Sequence, residues 1–455
     1  MERALTAEFS KFIQSLSYAS IPQEVVRHAK RCILDTIGCG LFGSKLPWNK
    51  ILMDGLREVD QLSQAPIWGV GSKYSITNAA LINGTMVHSF ELDDLHSRGI
   101  IHPGSVTVPP AMALATHLGN ISGKKLIEAI VAGYEIGARV GIFVGTSHLL
   151  KGFHPTGTCG TFAAAATAGK LLNLSENELI NALGIAGAQS AGLMAAQYSS
   201  MVKRMHAGRA AQSGLLAALL ARKGFTGATD ILEAKYGGFG TTMSDQLDFK
   251  SASNGLGLSY EVLNVGFKPY SCCGSNHTSL DAIKQIFKEN EVHPEAIEKL
   301  DIRTTKATKV HVGWPYSPES VTSAQMNLYY SAAAFVLEGD AFIDQFTEEK
   351  IRDPKILNYI PRIHIEEDPD LDAEGPGKRH SVRVDVFLKD GRHFERRVDY
   401  PLGNPKNPLT PKDVENKFRK LTAKVFTENK VDQLISTIDH LDEISDASQL
   451  NNLLI

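Results

Sequence analysis

The sequence predicts a mainly α protein: a large all-helical domain joined to a smaller α+β domain. Apolar residues recur at helical spacing through roughly the first 265 residues, and period-two runs appear only after that point. From Thr410 the chain returns to polar helical spacing, which marks the end of the α+β part. With 455 residues the chain has room for two or three domains, or one large domain with a smaller partner. A composition of 43% hydrophobic and 21% charged residues excludes a wholly disordered chain.

Leu5, Phe9, Phe12, Ile13 and Leu16 fall on one helical face, and no apolar run here is long enough for a signal peptide. Val25, Val26, Ala29, Cys32, Ile33 and Ile37 form the next stripe, opened by Pro22. Segment 76–91 is a third helix, and Pro109-Pro110 are expected to open a fourth through Ala113 and Leu118. Segment 125–144 is apolar with Gly133 and Gly137 four apart, a spacing that allows close helix packing. Between 157 and 222 the chain is dominated by Ala and Gly, the composition of helices surrounded by other helices at short distance.

In the second part, 300–304 and 363–365 alternate like strands, and 382–386 with 394–396 reads as a hairpin. Asp390-Gly391 at its apex suits a type I′ turn. Helices are expected over 278–289, 324–337 and 343–350, and again from Thr410 through Val414, Phe418 and Leu421 to Ile435.

A formal charge of −3 gives no global attraction to nucleic acid or to an anionic membrane, and no window reaches the ~18 apolar residues of a membrane span. Five cysteines without a CxxC pair fit a reducing compartment, so a cytoplasmic location is expected.

Four clusters carry chemistry. The first is Glu91-Leu92-Asp93-Asp94-Leu95-His96 with His102-Pro103-Gly104. Asp-Asp with His can ligate a divalent metal, or the carboxylates can orient imidazoles that act as acid or base. The Asp pair also resembles isoprenoid synthases, although Ser97 replaces the third acid. The second cluster, around His154-Pro155, repeats the device of a histidine before Pro at a helix start, where exposed N–H groups favour carboxylate or phosphate. The third, Lys203-Arg204 with His206, is a basic knot inside an apolar region and points to an anionic, polycarboxylate ligand. The fourth runs from Lys268 to His277 at the junction of the two parts, where clefts commonly form. Tyr330 lies on a later helix. There is no Walker A loop, dinucleotide fingerprint or nucleophile elbow, so cofactor-free proton transfer on an anionic substrate is the reading of these residues.

These clusters, in this order, resemble the MmgE/PrpD family from about residue 5 to 445. The motifs are His88-Ser89-Phe90-Glu91-Leu92-Asp93-Asp94 with His102-Pro103, Gly152-Phe153-His154-Pro155, Lys203 with His206-Ala207-Gly208, and Lys268-Pro269-Tyr270. The family includes 2-methylcitrate dehydratase, cis-aconitate decarboxylase and iminodisuccinate epimerase. The resemblance implies a helical domain over 1–265 completed by 405–455, an α+β lid over 266–404, a homodimer, and no iron–sulfur cluster or other cofactor. It places His102, His154, Lys203, His277 and Tyr330 at or beside catalytic positions. It gives Glu91, Asp93, Asp94, Arg204, His206 and Lys268 to substrate binding, with no metal ligand. Glu91 stands where the decarboxylase branch has an aspartate, Leu95 where it has a threonine, and Cys273 where one of its histidines aligns. The implied function is a lyase acting on a small polycarboxylate: dehydration of a 2-methylcitrate-like substrate first, with decarboxylation or epimerisation as alternatives.

Overall fold

The computed structural model describes residues 4–455; positions 1–3 of the expected domain 1–265 lie outside them. The chain is mainly α with a smaller α+β region. Among the described residues no helix is long and apolar enough to cross a membrane.

The centre of the helical part is Pro155–Leu171, every residue of which is buried. It is packed by Gly123–Leu150, Pro103–Leu118 and Val202–Ala221. Small side chains make this possible. A Cβ on Gly133 would sit 1.9 Å from Thr167 Oγ1, and one on Gly214 would sit 2.4 Å from the Thr161 carbonyl oxygen. Backbones at that separation exclude anything larger than glycine, so the cost of glycine in a helix is offset by close contact.

Pro109 and Pro110 do not open their helix. It begins six residues earlier, at Pro103, and runs to Leu118 with both prolines inside. Pro103 is the better starter, because at the first helical position its missing N–H has no partner to lose. The internal pair removes donors for the carbonyls of Ser105 and Val106, a defect the surrounding buried helices contain. Gly123–Leu150 extends past the expected end at 144, with a break at Gly145 (φ 58°, ψ −163°).

The second part holds a four-stranded sheet in the order Ile363–Glu367, Ile297–Thr304, Val382–Leu388, His393–Val398. The first pair is parallel and the others antiparallel. Gly274–Asn290 packs across the two hairpin strands. The hairpin turn differs from type I′. Only Gly391 (φ 88°) has positive φ, the Gly391 N–H donates to the Leu388 carbonyl, and Asp390 accepts from the Arg392 N–H at 3.0 Å. That is a type I turn followed by a glycine bulge, and the Asp390 side chain favours it by closing its own local turn. The helix expected over 324–337 is divided into Val321–Gln325 and Leu328–Glu338, because Asn327 caps the second by accepting from the Tyr330 N–H. No α-helix forms over 343–350. Gln345 accepts from the Phe342 N–H, and its own carbonyl takes the Tyr330 hydroxyl, so side chains compete with the helical ladder.

Two features bind these parts around the junction. The short strand Leu95–His96 pairs antiparallel with Val265–Gly266, drawing the acidic loop against the segment that carries Lys268. From the far end of the chain, Pro411–Thr422 packs on Gln23–Gly43. There Lys417 lies 2.7 Å from Asp35 and also donates to the Leu92 carbonyl, with both charged side chains buried.

Removing one member of a buried ion pair leaves the other uncompensated. Lys417→Met is therefore expected to cost about 3–5 kcal/mol in urea unfolding. Asp35→Asn added to Lys417→Met should recover most of that loss; equal stability of the single and double variants would show that the pair is not the anchor.

Candidate active site

The acidic segment follows the helix Ile76–Val87 through a single 3-10 turn, His88–Phe90. Glu91 then takes left-handed backbone angles (φ 55°, ψ 30°), which ends the helical path and turns the carboxylate inward. There it meets three cations: Lys203, Arg204 and Lys268. Lys268 donates to Glu91 twice, to the backbone carbonyl at 3.1 Å and to Oε2 at 3.2 Å. Gln325 secures the arrangement, accepting from Arg204 at 2.7 Å and donating to the Phe90 carbonyl at 3.0 Å. Burial alone would raise the Glu91 carboxyl, but Lys203, Lys268 and Arg204 hold it well below the usual carboxylate range.

His102 and His154 are the N-cap residues of Pro103–Leu118 and Pro155–Leu171, each followed by proline at the first helical position. The His102 N–H donates to Thr156 Oγ1 at 3.2 Å, tying one loop to the other. His206 projects from the same helix as Lys203, with its Nδ1 3.0 Å from His154 Nδ1. The four rings His206, His154, His88 and His102 follow one another at centroid separations of 5.2, 5.4 and 4.9 Å.

Carboxylates and carbonyls orient this row. Asp93 accepts from His88 Nδ1 at 2.7 Å, and the Asp94 carbonyl accepts from His102 Nδ1 at 2.7 Å. A carbonyl oxygen only accepts, so His102 Nδ1 carries the hydrogen and Nε2 holds the lone pair. Burial lowers His102 to about 3 and, with help from Lys203, His206 to about 4; it also holds His154 well below its ordinary value. The row is therefore unprotonated at neutral pH. Asp94 behaves in the opposite way. Burial pushes its carboxyl up to about 8, while its oxygens accept from Tyr134 (2.7 Å) and the Gly104 N–H (3.0 Å). It supports the loop from behind and does not line the cavity.

That cavity is lined by Glu91, His102, His154 and Lys203 on the helical side. Cys273, His311, Arg379 and His380 line it from the α+β side. One donor atom each from His88, Asp93 and His102 converges within 4.8 Å, the only set among the described residues that meets the spacing of a metal site. Within the trio Asp93 fixes the imidazole of His88 by a hydrogen bond, while His102 Nδ1 lies 3.4 Å from Asp93 Oδ1, and Asp93 Oδ1 and His88 Nε2 have no hydrogen-bond partner.

The MmgE/PrpD N-terminal domain matches residues 7–252, and the MmgE/PrpD C-terminal domain matches residues 270–443. The chain belongs to the MmgE/PrpD family. Within this family it is 30% identical to a cis-aconitate decarboxylase of Aspergillus terreus, over 99% of this chain and 96% of the relative. It is 29% identical to the human cis-aconitate decarboxylase, over 100% and 95%. It is 23% identical to the 2-methylcitrate dehydratase of Salmonella typhimurium, over 90% and 88%. Decarboxylases and dehydratases are both lyases, and lyase chemistry is what this MmgE/PrpD membership supports.

Of the residues singled out in the sequence, Glu91, His102, His154 and Lys203 share the cavity, with Arg204, Lys268, His206 and Asp93 directly behind them. Three do not reach it, Asp94 among them. Tyr330 is fully buried and donates to the Gln345 carbonyl at 2.6 Å, so its hydroxyl is satisfied within the α+β core. His277 donates through Nε2 to the Cys272 carbonyl at 3.1 Å and borders a smaller hollow behind the cavity. Sequence reasoning missed the Cys273–His311 contact and the pair Arg379-His380. A signal for the latter existed in Gly375-Pro376-Gly377-Lys378-Arg379-His380, a basic loop with the same Gly/Pro character as the histidine loops.

The buried imidazoles make the fold sensitive to acid. His28, His102, His148, His206 and His277 all titrate near 3 to 4 when folded, against about 6.5 when unfolded. Between these values the unfolded chain binds protons that the native chain refuses, so stability falls as pH drops through that window. Melting temperature should decline steadily from pH 6.5 to 4; a flat profile would mean the imidazoles are not held neutral.

Proposed function

We propose that this protein is a cofactor-independent lyase acting on a small polycarboxylate. The observation that carries this reading is the charge inside the cavity wall. Glu91 and, behind it, Asp93 are two carboxylates against Lys203, Arg204 and Lys268, and Arg379 adds a fourth cation on the opposite side. A buried surplus of positive charge is costly unless an anion completes it. A substrate carrying two or three carboxylates does so.

The neutral histidines then place an unprotonated nitrogen next to bound carboxylates, where a carboxylate alongside would raise its affinity for a proton. In dehydration, His102 Nε2 or His154 takes the proton beside a carboxylate, the carbon–oxygen bond breaks, and the hydroxyl leaves as water with a second proton. In decarboxylation of a cis-aconitate-type substrate, the bond to the departing carboxylate breaks and its electron pair forms a new double bond. The electrons of the old double bond take a proton at its far carbon. Both routes pass through a carbanion spread onto a carboxylate, which Lys203 is placed to stabilise. Decarboxylation draws support from the higher identity of the decarboxylase relatives over the whole chain. Against decarboxylation stands Leu95, whose apolar side chain lines the cavity at the position where the resemblance gives the decarboxylase branch a threonine hydroxyl.

Incubation with 2-methylcitrate, citrate, cis-aconitate and iminodisuccinate, followed by NMR, should show turnover of one; binding without turnover of any would sink the lyase reading. Activity should survive excess EDTA, and a loss restored by a divalent ion would move the chemistry to the His88–Asp93–His102 set. Lys203→Met should keep the parental melting temperature, since Arg204 and Lys268 still hold Glu91, yet lower kcat/KM by about 10²–10³. His102→Ala and His154→Ala should lower kcat by ~10²–10⁴; near-parental kcat in both would remove them as proton acceptors.

A further inference from the structure

Both routes need a proton delivered, and dehydration also needs one removed; the histidine row is poorly suited to deliver it. His102 and His206 are held neutral by burial, and the His102 Nδ1 hydrogen is committed to the Asp94 carbonyl. Asp94 keeps its proton at neutral pH but faces Tyr134 and Gly104. Lys203 is bound to Glu91.

The opposite wall is differently built. Cys273 is the N-cap residue of the 17-residue helix Gly274–Asn290, where the helix dipole favours a thiolate. Its Sγ lies 3.8 Å from His311 Nδ1, and the same nitrogen lies 3.2 Å from Ser275 Oγ. Burial would raise the thiol, but the charge and hydrogen bond of His311, aided by Lys268, bring Cys273 to about 6 against the opposing charge of Glu91. Arg379 and His380 face the pair from the same side of the cavity, and Cys272 lies behind it. The other four cysteines go the other way, burial raising each of them. A second observation points to a ligand here: His380 is buried on this wall with neither ring nitrogen hydrogen-bonded.

We propose that Cys273 and His311 form a thiolate–imidazolium pair that serves as the proton donor across the cavity from the histidine row. The role rests on the lyase reading above. The pair gives one proton to the substrate carbon as carbon dioxide leaves, or to the departing hydroxyl, which becomes water. Thiolate and neutral imidazole remain, and a solvent proton restores the pair. In dehydration the proton taken by the histidine row returns to solvent, so the cycle balances.

The pair can be tested without a substrate. Intact protein is alkylated with iodoacetate between pH 5 and 9 and the labelled peptides are read by mass spectrometry. Cys273 should be labelled with a half-maximal rate near pH 6 while the other four cysteines stay unlabelled, and His311→Gln should move that midpoint above the value of an ordinary thiol, about 8.5, because burial then acts unopposed. A midpoint above 8 in the parent protein overturns the pair. With a turned-over substrate in hand, Cys273→Ser and His311→Gln should each lower kcat by ~10²–10⁴, with KM and melting temperature little changed. Parental kcat in both overturns the donor role even if labelling is as expected. Failure of every substrate in the panel overturns the lyase reading and the donor role together, while labelling still decides the pair.

Discussion

The side chain of Glu91 meets Lys203, Arg204 and Lys268, which reach it from a helix of the central bundle and from the segment that enters the α+β part. Each of these charges would be costly to bury alone, and together they form a network in which one carboxylate sets the position of three cations. The geometry is demanding enough that Glu91 adopts a left-handed backbone conformation without being glycine. Glycine would relieve the backbone and remove the carboxylate, and with it the reason the cations converge. The cavity therefore inherits its field from a residue whose local conformation is unfavourable.

Around this network the same local device is used twice. His102 and His154 each occupy the last non-helical position before a proline-started helix, and Thr156 of the second loop accepts from the backbone of the first. Proline fixes where each helix begins, so the imidazole before it is fixed as well. The Ala- and Gly-rich helices behind them let the two helix starts lie side by side. Packing and chemistry are thus set by the same stretch of sequence.

Much of this was legible beforehand because it is local. Helical spacing, the His-Pro loops and the basic knot at Lys203 are all written within a few residues. The departures arise where distant partners decide. Tyr330 looks like a site residue until the Gln345 carbonyl takes its hydroxyl. The segment 343–350 has helical spacing but gives its hydrogen bonds to side chains. Pro109-Pro110 reads as a helix start only if Pro103 is not already one. Cys273 gains its character from His311, 38 residues away in sequence, and no local pattern announces such a contact.

The lysine that reaches back from the late helix Pro411–Thr422 bears on how the molecule comes into being. Lys417 touches the carbonyl of Leu92, the neighbour of Glu91, across 325 residues of chain. At ribosomal rates of roughly 5–20 residues per second, the acidic loop waits on the order of 15–65 s for that contact. During synthesis the nascent helical bundle lacks one of its walls, and the face of Gln23–Gly43 that Phe418 and Leu421 will cover is still open to other chains. Completion of the cavity is thus a late event in biogenesis, and the interval before it is when the chain is most open to misassembly or to capture by chaperones.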